Sequence, residues 1–496
     1  MKKERVAREL ERQQKALRDY AKAGHGAPKT RREFLASGFI AGMSTIALPS
    51  LLQLIASEAR ASNLSSECKA LLEPQADWMP YLQVSLAGGA AVHTSILLLD
   101  KDRQLLPSYS RLGLGVTSGF SVGKEFGNVP FATFNGEYIG QIMAGLTKAA
   151  GAEALANTSM VKFCVRSQDD KINPDGLMGL VTAAGRRGMD LPNLGTPKAQ
   201  IRAAYIKATG VQNVTSIDTL ISSLSPQGAL ASHLKDPAKR GSLLKLVSNL
   251  SAGQRKTLDS TASAQSLGKL VECSSAKNIE LGQTDTSSFD PRQNTAVASI
   301  WNITADSDAG EYNSEADAPD LEPTAASALH ATVAYNVLNG RSGAGRIDLS
   351  GYDYHGQTRE QQNAKDLAAG TVIGRILKTA HALQRPVFLH VTSDGSVESS
   401  SASMTGAFGA DAGSRGSGFF LVYNPKGRIT TTDSQIGHFN SAQAVDESFM
   451  NTWIVDRCAL AVFANYLQLH RQTGLLDKIA PGEFDAKALA KVVKVA

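Results

Sequence analysis

Residues 346–392 read RIDLSGYDYHGQTREQQNAKDLAAGTVIGRILKTAHALQRPVFLHVT, and their order of elements decides the fold class. Arg346–Leu349 is short and stops at Ser350-Gly351, which predicts a strand closed by a turn. From Thr358 to Gln384, Val372, Ile376, Ala380 and Leu383 recur every three or four residues, the spacing of one helix face. Pro386–Val391 is an apolar run that predicts a second strand. Strand, long helix and strand make a βαβ crossover, which requires two parallel strands in one sheet. The expectation is that these two strands are neighbours.

The flanking sequence extends the pattern. Tyr81–Ala87, Met160–Val165 and Phe419–Tyr423 read as further strands, the first running into Gly88-Gly89. Tyr138–Ala150, Pro323–Leu338 and Trp453–Gln472 have helical composition, and Asp306–Glu322 is an acidic loop. Residues from about 195 to 275 are polar, rich in Ser, Lys and Leu, and predict a helical insertion without strands. Alternation of this kind predicts an α/β fold with a doubly wound, mostly parallel sheet over residues 62–496.

With 496 residues, 42% of them hydrophobic and 20% charged, the chain is neither disordered throughout nor a polytopic membrane protein. The net charge of +5 comes from one end. Residues 1–61 hold 12 of the 51 basic and 6 of the 46 acidic side chains, leaving 39 against 40 on the remainder. A folded body without a basic surplus is not built to face nucleic acid phosphates.

That first segment reads as an address. A Lys/Arg-rich start leads to Thr30-Arg31-Arg32-Glu33-Phe34-Leu35, an apolar run to Ile55, and small residues at Ala59-Arg60-Ala61. These are the parts of an export signal. The paired arginines resemble the twin-arginine (Tat) type, whose partner is the Tat translocase. The expected destination is the periplasm or the exterior, with a mature start near Ser62. An uncleaved signal would leave an N-terminal membrane anchor, since about 20 apolar residues span a bilayer. Cys68, Cys164, Cys273 and Cys458 would then lie where disulfides persist, with three pairings open.

Ligands of open α/β sheets bind beyond the carboxyl ends of the strands. Asp353 and His355 follow the 346–349 strand, two residues apart and so facing one side if extended. Asp394 follows the 386–391 strand, and Asp411 and His438 lie in later glycine-containing loops. Carboxylates with imidazole can hold a divalent metal such as zinc or manganese. After Gly88-Gly89, Thr94 or Ser95 is a candidate nucleophile, with His93 beside it as ligand or base. Asp169 and Asp170 follow the 160–165 strand in the same topological position, where they read as a solvated turn. No GxSxG nucleophile elbow is expected, and no HExxH and no GxxxxGK[ST] is present.

The Tat signal, Gly88-Gly89, Val165-Arg166-Ser167 and above all Gly351-Tyr352-Asp353-Tyr354-His355 resemble the Tat-exported bacterial family catalogued as domain of unknown function 1501. Its Gly-Trp-Asp-Thr-His run, long helix, Ser-Glu-Phe-Gly-Arg run, Asp-His run and glycine-rich strand end are similar to Gly351–His355, 358–384, Ser393-Asp394-Gly395, Ala410-Asp411-Ala412 and Gly416–Lys426. The resemblance implies an alkaline-phosphatase/sulfatase type of fold, in which Asp and His ligands hold metals beside a Ser or Thr nucleophile. It implies hydrolysis of phosphate or sulfate esters. Ala412 stands where the family has His, and Asp394 where it has Glu, so the implied complement is one divalent metal at most. A degenerate binding protein, or an envelope or secretion component, is the alternative.

Replacing Arg31 and Arg32 together by Lys should block export, because Tat recognition depends on the guanidinium pair. Fractionation that finds the double variant in the periplasm at wild-type level would refute the signal.

Overall fold

The computed structural model describes residues 78–104, 140–167, 176–196, 211–223, 236–255, 286–304, 325–399 and 408–496, apart from isolated positions, with a few short stretches besides. Tyr81–Leu86 (β1), buried at every residue, is a central strand of an eight-stranded sheet. The other strands are Thr158–Cys164 (β2), Leu194–Gly195 (β3), Gln212–Asn213 (β4), Ala344–Leu349 (β5), Val387–Ser393 (β6), Ser417–Tyr423 (β7) and Gln435–Ile436 (β8). The order is β8-β2-β7-β6-β1-β5-β3-β4. Only β7 runs antiparallel to its neighbours. All seven residues of β6 and of β7 are buried, as expected of strands covered on both faces. The outermost strands have two residues each, which limits edge-to-edge pairing.

The crossover strands β5 and β6 are parallel and in one sheet, but they are not neighbours. β1 lies between them, pairing Tyr81 with Ala344 on one side and with Phe388 on the other. YLQVSL has no charged residue and is buried at every position, as a central strand must be, while the helix is long enough to carry the chain past one strand. The 195–275 expectation also needs correction. Helices occur there at Ile217–Ser223 and Pro237–Arg255, but Gln212–Asn213 is a strand that pairs parallel to β3.

The helices used below are Gln141–Ala156 (α1), Pro237–Arg255 (α2), Ala325–Leu338 (α3), Arg359–Ala382 (α4) and Val455–Leu469 (α5). Successive strand residues face opposite sides, and both sides are covered. A Cβ on Gly345 would meet Val333 and Val337 of α3 as well as Leu82. On the other side, Tyr466 of α5 packs edge-on against Tyr81 and Phe388, with ring centroids 6.1 and 5.4 Å away. No described helix is long and apolar enough to cross a membrane. Cys164 and Cys458 are buried thiols, and burial raises both pKa values. Cys273 is disulfide-bonded; Cys68, Arg31, Arg32 and the whole 1–61 segment lie outside the described residues.

α4 starts at an N-cap, Thr358, which exchanges side-chain hydrogen bonds with Gln361 in a capping box. It then packs on α1 at backbone distance. A Cβ on Gly370 would stand 2.0 Å from the Ile142 carbonyl oxygen, one on Gly374 2.5 Å from that of Leu146, and one on Gly145 2.2 Å from that of Leu367. No side chain fits between these helices. Gly370→Ala should therefore destabilise the protein by about 3 kcal/mol or more, at the upper end of overpacking effects. Thermal or urea unfolding measures this; a stability within about 0.5 kcal/mol of wild type would show that the helices separate freely.

Candidate metal centre at the carboxyl edge of the sheet

The loop after β5 is held from below. The Ala87 amide donates to the Leu349 carbonyl (2.9 Å) and the Tyr352 amide to the Ala87 carbonyl (3.0 Å), prolonging the β1–β5 pairing past the strand ends. Tyr352 and Tyr354 are fully buried. Their hydroxyls donate to the Lys365 carbonyl (2.8 Å) and to Asp366 Oδ1 (2.9 Å) on α4. The alternate residues point outward: the side chains of Asp353 and His355 are 47% and 55% exposed. Two inward tyrosines thus set two outward ligands on one side, and Asp353 Oδ1 and His355 Nδ1 hydrogen-bond each other.

A second segment completes the group. Val397–Ser399 and Phe408–Asp411 form an antiparallel pair. Phe408 locks it to the loop: its amide donates to the Gln357 carbonyl (2.8 Å), and its carbonyl accepts from the Gly356 amide (3.2 Å). Its ring stacks on Tyr354 at 6.4 Å. This brings Asp411 Oδ1 to 3.7 Å from His355 Nδ1. One ligand atom from each of Asp353, His355 and Asp411 lies within 4.8 Å of the other two. Ligands on a tetrahedral zinc stand about 3.4 Å apart, given bonds near 2.1 Å. Side-chain rotations of about 1 Å would close the set, and two carboxylates with an imidazole suit zinc or manganese.

Asp394 and His438 are not members of that group. Asp394 Oδ1 accepts from the Gly88 amide at 2.6 Å. Gly88 has φ +118°, and a Cβ there would lie 2.7 Å from the Asp353 amide nitrogen. Asp394 therefore anchors the turn that backs the Asp353 loop. His438 Nε2 pairs with Asp446 Oδ2 at 2.9 Å, and its ring lies edge-on to Phe449. A carboxylate eight residues downstream holds that imidazole in its own loop.

The nucleophile expectation also changes. Val92–Thr94 forms a buried 3-10 turn, and neither Thr94 nor Ser95 presents its hydroxyl to solvent. Thr94 Oγ1 donates to the Ala91 carbonyl (2.8 Å) and accepts from Gln362 Nε2 (3.1 Å). Gln362 also donates to Asp366 Oδ2 (3.0 Å), the partner of Tyr354. Ser95 Oγ accepts from the Ile142 amide at 3.4 Å, and His93 Nδ1 lies 3.3 Å from Ser396 Oγ. These residues brace the loop from inside. Asp169 and Asp170 lie outside the described residues, as does Gly119-Phe120-Ser121-Val122-Gly123. The expectation that no Gly-x-Ser-x-Gly elbow occurs is wrong, since that run has its spacing.

A buried polar row beneath the rim was also missed. Gln83 and Ser85 of β1 are in register with Arg346 and Asp348 of β5 on one side, and with His390 and Thr392 of β6 on the other. Alternating polar residues in β5 were its signal. Arg346 Nε donates to Asp348 Oδ2 at 3.0 Å. Burial nevertheless raises the Asp348 pKa from 3.8 to about 7, opposed by Arg346 and assisted by the Asp394 charge. Burial also pulls His390 down to about 3. Folded Asp348 keeps its proton to near pH 7, whereas the unfolded side chain loses it near 3.8. The folded state then binds more protons in that window, so this residue makes stability fall as pH rises from about 4 to about 7. Asp348→Asn should flatten that part of the profile, as read from urea unfolding at several pH values; an unchanged slope would refute a protonated Asp348.

No protein-family model, curated protein or solved structure matches the chain.

Proposed function

We propose that this chain is an exported protein whose sheet edge holds one divalent metal, zinc or manganese, and uses it to engage phosphate or sulfate esters. The convergence of Asp353, His355 and Asp411 carries the reading. Three protein ligands at an exposed rim leave coordination positions open, the pattern of catalytic rather than structural zinc. A bound ion would polarise an ester oxygen and lower the pKa of a coordinated water. The chain's part is positional: Tyr352, Tyr354 and Phe408 fix the ligand loops, and Asp394 holds the glycine turn behind them. His355 must be unprotonated to ligate, so metal affinity should fall in acid.

The family resemblance supports a hydrolase of alkaline-phosphatase/sulfatase type, exported by the Tat translocase. The burial of Thr94 and Ser95 favours a second reading, in which ester ligands are bound without turnover, as in a degenerate or envelope-associated member.

Calorimetric titration of the metal-stripped protein with zinc or manganese should give one site. Asp353→Ala with His355→Ala should abolish it, and Asp411→Asn should weaken it at least about tenfold, the loss of one ligand among three. Circular dichroism should stay unchanged, since the three side chains lie outside the core. Turnover of p-nitrophenyl phosphate or sulfate by the loaded protein would select hydrolysis; tight metal binding without turnover would select the second reading. Failure to bind either metal would overturn both.

A further inference from the structure

A groove of about 450 Å³ lies in the helical layer, lined by Gly145, Lys148 and Ala149 of α1, Ser299 and Ile300 of the Thr295–Trp301 helix, and Leu367, Thr371, Arg375 and Lys378 of α4. Its composition follows from helix geometry. Leu367, Thr371, Arg375 and Lys378 are spaced four, four and three apart, so they line one face of α4. Gly145, Lys148 and Ala149 do the same on α1. The glycine contact that brings the two helices together also leaves the floor without a side chain at Gly145.

Among the described residues, the lining contains three cations and no acid. Among the described residues, Lys148, Arg375 and Lys378 enter no ion pair. Glu153 of α1 is engaged instead by His381, 3.3 Å away. Arg375 is half-buried. Its contacts are a long hydrogen bond to Ser327 Oγ (3.4 Å) and the Trp301 ring face, 5.9 Å from the guanidinium carbon. Burial lowers its pKa, a sign that the charge is desolvated without a carboxylate to offset it. A partly buried guanidinium flanked by two lysines suits a compact anion with several oxygens, which accepts bidentate hydrogen bonds from Arg and point-charge contacts from Lys. The hydroxyls of Ser299 and Thr371 add polar contacts, and Ile300, Leu367 and Ala149 an apolar wall.

The geometry points to a second ligand site in this groove, separate from the rim, that binds the phosphate group of a small phosphorylated molecule. Arg375 lies sixteen residues into α4 from Arg359, about 24 Å along the axis from the rim end. It is independent of the metal reading. The concave form and volume favour a small molecule over a membrane surface, where cations would lie on an open face.

The test is calorimetry of the full chain with inorganic pyrophosphate, in EDTA so that no rim ion contributes. Saturable one-site binding that weakens as salt rises is expected. Lys148→Gln with Lys378→Gln, both exposed positions, should weaken it at least tenfold without changing the melting temperature. Arg375→Gln should weaken it as much or more. Asp353→Ala with His355→Ala should leave it unaltered, which separates this site from the rim. Absence of saturable binding, equal affinity in the lysine double variant, or binding confined to phosphatidylglycerol vesicles would each overturn the proposal.

Discussion

The position of β1 between the crossover strands is the constraint on which the rest of the molecule depends. A single six-residue run supplies hydrogen bonds to β5 on one side and β6 on the other, so the three strands end at a common edge. The turn that leaves β1 then has to pass between the loops that leave its neighbours. Gly88 meets that demand by having no side chain: its amide binds Asp394 and its α-carbon backs onto Asp353. Any larger residue would push the Asp353 loop away from the edge. The site and the sheet order are in this sense one arrangement.

Much of this was legible because it is local. Apolar continuity marked β1, β6 and β7 to within two residues, and helical spacing marked α4. Alternation in GYDYH placed Asp353 and His355 on one side. Non-local facts were not legible. That β1 enters the crossover depends on competition among buried strands some 300 residues apart. That Asp411 joins the ligands while Asp394 does not depends on Phe408 finding Tyr354, which no spacing within either segment encodes. His93-Thr94-Ser95 looked chemical because its residue types are; its burial follows from the way α1 and α4 close over it.

The buried polar row shows the converse economy. Burying Gln83, Asp348 and His390 in a sheet centre, with Arg346 mostly covered beside them, is unfavourable unless each is hydrogen-bonded or neutral. The structure uses both means. His390 is held neutral and bonds the Tyr81 hydroxyl, 3.1 Å away, while Asp348 shares Arg346 yet still favours its acid form. The Asp394 charge at the rim already raises the Asp348 pKa, so charge at that edge is felt by a carboxyl poised between its two forms.

The separation between β1 and its partners also governs how the chain acquires its structure. Tyr81 leaves the ribosome roughly 300 residues before Phe388, the residue it pairs with. At about 5–20 residues per second this is an interval of roughly 15 to 60 s. Throughout it, an uncharged hexapeptide with Leu82, Val84 and Leu86 on one face has neither neighbour, and such segments are prone to associate with one another. The order of the strands therefore makes the nascent chain dependent on whatever shields YLQVSL until the C-terminal half has been made, and yield in the cell would respond to synthesis rate and chaperone supply even where the finished protein is stable.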